Sequence, residues 1–245
     1  MRVPTLASHS LKQRVFVRTG FRWDAASAYI FDIDGTLLNS RDSIHYAAFR
    51  NAMREVLGLD ATIDHVPVHG NTDPGILRAV LLREGLTVPA IAASLPRLFA
   101  LMCAEVESNQ DQLRPELCPS AMELLSYLRA QGKLLGVASG NLETIGWLKL
   151  EKAGLRPMFS FGSFSYPREL RSEIFLEGIR QARSLCGGSA EVFVVGDTPS
   201  DIEAAKIAGV PVIALATGVY DFQSLLGCGP DACFACGSDW LAFSG

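Results

Sequence analysis

From residue 119 onward the chain alternates between two hydrophobic rhythms. PSAMELLSYLRAQG places Ala121, Leu124, Leu125 and Leu128 at the i, i+3, i+4, i+7 spacing of one helix face. KLLGVASGN, at 133–141, is a short apolar run ending in small polar residues, the pattern of a buried strand. NLETIGWLKLEKAG predicts the next helix, with Asn141 as its N-cap and Gly154 just past its end. The rhythm continues through strand MFSFGSF (158–164), helix RSEIFLEGIRQARSL (171–185) and strand EVFVVGDT (191–198). Helix SDIEAAKIAG, strand PVIALATG and a short strand in ACFACGS complete the series. Strands alternating with helices of this length predict an α/β fold, a Rossmann-like parallel sheet core with helices on both faces. FDID, after Ala28-Tyr29-Ile30, reads as its first strand.

Between about 40 and 114 the alternation stops. SIHYAAFRNAMREVLGL, DPGILRAVLLREGL and PAIAASLPRLFALMCAEVESN all read as helices, with no convincing strand between them. The expected organisation is a core domain of residues 1–39 and 115–245, with 1–27 as an N-terminal extension, interrupted by a helical domain at 40–114 inserted after the first strand.

Composition narrows the field. A chain of 245 residues, 49% hydrophobic, is long enough for one large domain or a domain with an insertion. A net charge of −4 gives no footprint for nucleic acid, and no stretch approaches the roughly eighteen apolar residues of a membrane span. Arg2, Lys12, Arg14, Arg18 and Arg22 precede the first acid, Asp24. Transit peptides share that composition, but VFV at 15–17 suits a short strand, so the segment reads as an extension packed on the domain. Cys233 and Cys236 form a C-x-x-C with no fourth Cys or His ligand nearby, and read as buried thiols. Scattered cysteines without a secretory signal fit a reducing, cytoplasmic setting.

In an open parallel sheet, ligands bind beyond the carboxyl ends of the strands, and there the polar residues fall. Asp32 and Asp34 share one face of the first strand's end, Ser139-Gly140-Asn141 ends another strand, and Gly196-Asp197-Thr198 a third, with Asp201 four residues on. If these strands are neighbours, one crevice gathers four carboxylates that repel one another. Mg²⁺, a hard ion taking oxygen ligands and often phosphate oxygens, would offset that repulsion. Asp32, Asp34, Asp197 and Asp201 are the candidate metal set, with Asp32 and Asp197 as direct ligands. Gly35, Thr36, Ser139, Gly140 and Asn141 are candidates for phosphate, the last three at a helix start. Two acids on one face suit two roles: Asp32 as nucleophile forming an aspartyl phosphate, and Asp34, protonated at first, as acid/base.

DIDGT, VASGN and GDTPSD, in this order, resemble the motifs of the haloacid dehalogenase superfamily, whose members are mostly Mg²⁺-dependent phosphatases. The resemblance runs from about 28 to 240. It implies the nucleophile and acid/base roles for Asp32 and Asp34, phosphate binding for Ser139 and metal binding for Asp197. The helical insertion is similar to that superfamily's small cap domain, while KLEKAGL and TDPGIL resemble phosphoglycolate-phosphatase-like members. One feature departs from the pattern. The superfamily's third motif places a lysine before the fourth strand, yet no Lys lies between Lys152 and Lys206. By position Arg171 takes its place as phosphate-binding and catalytic cation, with Arg168 second.

The reading is therefore a phosphatase for a small phosphorylated metabolite, phosphoglycolate-like or a sugar phosphate. A sugar phosphomutase and a catalytically silent phosphate-binding module are the alternatives. A 2-haloacid dehalogenase is disfavoured by Asp34 and GDTPSD. Arg171 could also be a plain surface residue, and Asp201 could merely complement its helix dipole. His45 reads as solvated or capping, with a second acid/base of a sugar phosphomutase as its alternative; Thr72 and Asp73 read as an N-cap rather than a loop facing substrate, and Trp147 as core. The sequence carries no signal for oligomeric state.

Overall fold

The computed structural model describes residues 14–40 and 43–244. Arg2 and Lys12 of the basic extension lie outside them. The sheet contains β1 (Val15–Val17), β2 (Ala28–Phe31), β5 (Leu134–Ala138), β6 (Phe161–Ser163), β7 (Val192–Gly196), β8 (Val212–Leu215) and β9 (Ala232–Phe234). Its order is β1-β9-β8-β7-β2-β5-β6, parallel throughout except for β1, which runs antiparallel to β9. The fold expectation holds, and VFV extends the sheet as its edge strand.

A period of two sorts the central strands. Tyr29, Phe31, Val137, Val195 and Phe234 pack on one face, against Leu124, Leu125 and Leu128 of α4 (Ala121–Ala130), Leu150 of α5 (Glu143–Lys152) and Trp240 of α9 (Gly237–Ser244). Ala28, Ile30, Val194 and Val212 pack on the other, against Phe175 and Ile179 of α6 (Arg171–Cys186), Ile202 of α7 (Pro199–Ile207) and Leu225 of α8 (Phe222–Gly227). Each large apolar side chain so buried contributes roughly 1.5–3 kcal/mol. The rest of MFSFGSF is no strand: Arg156–Met158 forms a 3₁₀ turn around Pro157, leaving three residues to pair with β5.

Two short strands mark the passage into the helical segment. β3 (Leu38–Ser40) pairs antiparallel with β4 (Pro115–Leu117), a piece the sequence pattern did not predict. Between them lie α1 (Ile44–Leu57), α2 (Asp73–Arg83) and α3 (Val88–Ser108), which share a second apolar core. That core also takes in Leu142 and Ile145 of the sheet unit, so the two units are packed together through the start of α5. By length and composition α3 is apolar enough to cross a membrane, contrary to the sequence reading. Its apolar side chains Ile91, Leu98, Met102 and Val106 are buried in the helical core instead.

Candidate active site

β2 lies between β5 and β7, so the residues beyond all three strands open on one crevice. A cavity of about 270 Å³ lies there, lined by Asp32, Asp34, Ser139, Arg171 and Asp197 from the sheet unit and by His45, Phe49 and Ile76 from the helices. Gly35, Gly140 and Asn141 also line it; the buried Thr36 and Asp201 do not.

The carboxylates divide into two groups. Asp32, Asp197 and Asp201 are buried, with one oxygen from each within 4.8 Å of the others. Arg171, at the first position of α6, joins this group with Nη2 2.7 Å from Asp32 Oδ1 and Nε 2.5 Å from Asp201 Oδ1. It is no surface residue. Burial works against its charge, but Asp201 and Asp32 outweigh it and hold the guanidinium firmly protonated. Burial raises the Asp32 carboxyl well above the usual range; Arg171 opposes the rise, and Asp201 and Asp34 add to it. Asp197 rises through burial, then repulsion from Asp32 and Asp201. Asp201 serves its helix as well: its carboxylate accepts from the Thr198 amide at 3.0 Å, completing a capping box.

Asp34 stands apart from that trio. Lys149 Nζ lies 2.9 Å from each of its oxygens, and Asn141 Nδ2 donates to Oδ2 at 2.6 Å. Burial raises its pKa, but the Lys149 charge and these hydrogen bonds outweigh it and hold the carboxyl below its ordinary value. These contacts favour the charged form of Asp34, whereas the sequence reading has it protonated at first. Lys149 lies before the third-motif region, on a helix whose lysines read as solvated from the sequence alone.

Other expectations are corrected by where side chains are engaged. Asn141 is not the N-cap of α5, a place held by Leu142; the Lys149 ammonium and the Asp34 carboxylate draw its amide instead. The Thr36 hydroxyl is engaged by the acidic trio instead, donating to Asp197 Oδ1 at 2.9 Å. Two backbone donors beyond Ser139 are already taken, Asn141 N–H by Ser139 Oγ and Leu142 N–H by the buried Asp73 carboxylate. His45 is neither solvated nor capping: its ring stacks on Phe49, and Nε2 lies 3.2 Å from Asp73 Oδ2. Thr72 does cap α2, accepting from Gly75 N–H. Trp147 is only half-buried, with the Arg156 guanidinium over its ring. The six cysteines are free, and among the described residues no candidate metal cluster contains one.

The acidic trio fits a hard divalent cation. Three buried carboxylates share the charge of Arg171, and burial, with repulsion from the other acids, raises the pKa of Asp32 and Asp197 above the usual carboxylate range. Room around Asp197 is kept by glycine: a Cβ on Gly35 or Gly218 would collide with its carboxylate, and Gly35 has φ +90°.

Comparison with known proteins agrees with this architecture. Residues 29–215 match the family of haloacid dehalogenase-like hydrolases. A phosphoglycolate phosphatase of Synechococcus elongatus is 30% identical over 221 residues, 87% of this chain and 95% of its own. CbbY from Rhodobacter sphaeroides, solved with phosphate, shares the fold with a TM-score of 0.63 at 19% identity, covering 87% of this chain and 96% of that one. A predicted phosphoglycolate phosphatase from Haemophilus somnus gives 0.62 at 22% identity, over 90% and 99%. The acid-lined crevice at the ends of β2, β5 and β7 thus sits in a chain that belongs to the haloacid dehalogenase-like hydrolase family.

Proposed function

We propose that the protein is a Mg²⁺-dependent phosphatase that hydrolyses a small phosphorylated metabolite through an aspartyl phosphate on Asp32. The observation that carries this is the separation of Asp32, in the Arg171-held acidic trio, from Asp34, held by Lys149. On this reading Asp32 is the carboxylate that attacks phosphorus, and Asp34, held apart from it, serves the leaving oxygen.

Asp32, Asp197 and Asp201 would hold Mg²⁺ directly or through water. The ion supplies charge neutralisation for the phosphoryl oxygens. An Asp32 oxygen attacks phosphorus, the bond to the leaving oxygen breaks, and that oxygen takes a proton from Asp34. Water then attacks the aspartyl phosphate and gives its proton to Asp34, restoring Asp32 and releasing phosphate. Asp34 must therefore gain a proton before the first step, and a dianionic substrate beside it favours that change. Arg171 offers fixed positive charge to Asp32 and the transferring group, and Ser139 faces the same cavity. The helical segment acts as a cap whose His45, Phe49 and Ile76 meet the organic part of the substrate. Phosphoglycolate is one candidate, from the name of the Synechococcus relative.

A mutase reading draws on His45, whose imidazole faces the cavity beside Asp73 and could serve a second sugar hydroxyl. Phosphate release from phosphoglycolate, glycerol phosphate and hexose phosphates, with Mg²⁺ or a chelator, tests the proposal. Turnover that needs both the metal and Asp32 supports it. Flat rates across the panel would falsify it, and transfer to a sugar hydroxyl faster than to water would favour the mutase.

A further inference from the structure

The site holds two buried or nearly buried cations, and family resemblance assigns a role to only one of them. Lys149 lies on α5, its side chain 4% exposed, with Nζ bonded to both Asp34 oxygens at 2.9 Å and to Asn141 Oδ1 at 3.0 Å. A lysine ammonium has three donors, and all three are used within this cluster. Asn141 closes the ring of contacts, donating to Asp34 Oδ2 at 2.6 Å and to Ser139 Oγ at 2.8 Å. The Asp34 side chain is 41% exposed into the crevice, so only its partners fix where its oxygens stand.

The two cations sort the acids. Arg171 binds Asp32 and Asp201, and Lys149 binds Asp34. Asp34 follows Asp32 by two residues, and released from Lys149 it could swing toward a cation held by the trio. A carboxylate ligating that cation could not also meet a leaving oxygen. Resting on the phosphatase reading above, we propose that Lys149 is a positioning residue. With Asn141 it keeps the Asp34 carboxylate off the metal set and in place to hand a proton to the leaving group.

The dependence of rate on the leaving group tests this. Esters with poor leaving groups, such as an alkyl phosphate, need proton donation; p-nitrophenyl phosphate, with a good one, hardly does. The quantity read is the ratio of kcat/KM on the alkyl ester to that on the aryl ester. In Lys149→Met this ratio is expected to fall about tenfold to a hundredfold, as a fraction of the 10²–10⁴ that general acid catalysis supplies. Asp34→Asn falls at least as far, and Lys149→Arg recovers part of the loss. Asn141→Ala, removing only the second partner, falls less but in the same direction, and supplies the answer if Lys149→Met fails to fold. A structural role alone lowers both rates together, and an unchanged ratio in the Lys149 and Asn141 variants overturns the inference. If the wild type hydrolyses both esters in an Asp32-dependent way, that failure touches Lys149 alone. If it hydrolyses neither, the phosphatase reading falls and takes the inference with it.

Discussion

Arg171 Nη2 stands 2.7 Å from Asp32 Oδ1, and the two side chains are only 9% and 5% exposed. A buried pair of this kind is costly to break one-sidedly, because the remaining charge is left without a partner. Its planar fork also reaches Asp201, which a point charge in the same place could not do equally well.

Arg171→Met should therefore lower kcat by about 10²–10³, the usual cost of losing one donor that stabilises transition-state charge. Arg171→Lys should fall between the two. Initial rates with the best substrate of the panel check this, with Mg²⁺ saturating.

Metal binding should tighten as pH rises. Asp32 and Asp197 have raised pKa values, so they keep protons above the ordinary carboxylate range, and Mg²⁺ must displace them. Calorimetric titration at about pH 6 and about pH 8.5 should show weaker binding and more proton release at the lower value. Equal affinity at both would remove the trio as the metal site.

Asp197→Asn tests the same group through stability. A carboxyl whose folded pKa is raised costs stability at pH values above its unfolded pKa, increasingly so as pH climbs toward the folded one. The amide removes that cost and can still accept from Thr36. The metal-free variant should melt a few degrees above wild type at about pH 8, where ~1 kcal/mol is worth about 2–4 °C. The Mg²⁺-induced rise in Tm should be lost.

Much of this was legible in the sequence, and the reasons differ by element. Ala28, Tyr29, Ile30 and Phe31 form an unbroken apolar run, so a strand buried on both faces could be read directly, while which side chain meets which layer is set by the fold. The spacing before β7 singled out Arg171, and the chain delivers it to Asp32. Lys149 was hidden because a lysine in a helix reads as solvated surface; only the fold brings it to Asp34, 115 positions away. His45 and Asp73 stand 28 positions apart and meet only in the folded chain, which no local pattern encodes. β3 and β4 are three residues each, too short for periodicity to register.

Gly218 is a further residue the sequence did not announce. A methyl group there would push into Asp197. Gly218→Ala should leave the fold intact and weaken Mg²⁺ about 10–100-fold, the range seen when the support of a metal ligand is disturbed. Calorimetric titration beside a thermal melt separates the two effects.

The central claim is that Asp32 itself takes the phosphoryl group. A single turnover in ¹⁸O-water, followed by mass spectrometry of the peptide carrying Asp32, tests it most directly. Water attacks phosphorus in the second step, so the released phosphate should carry the label and Asp32 should stay unlabelled. Brief acid quenching should catch phosphate on the Asp32 peptide. Labelled phosphate with no phosphopeptide at any quench time, and an unchanged rate in Asp32→Asn, would contradict the account.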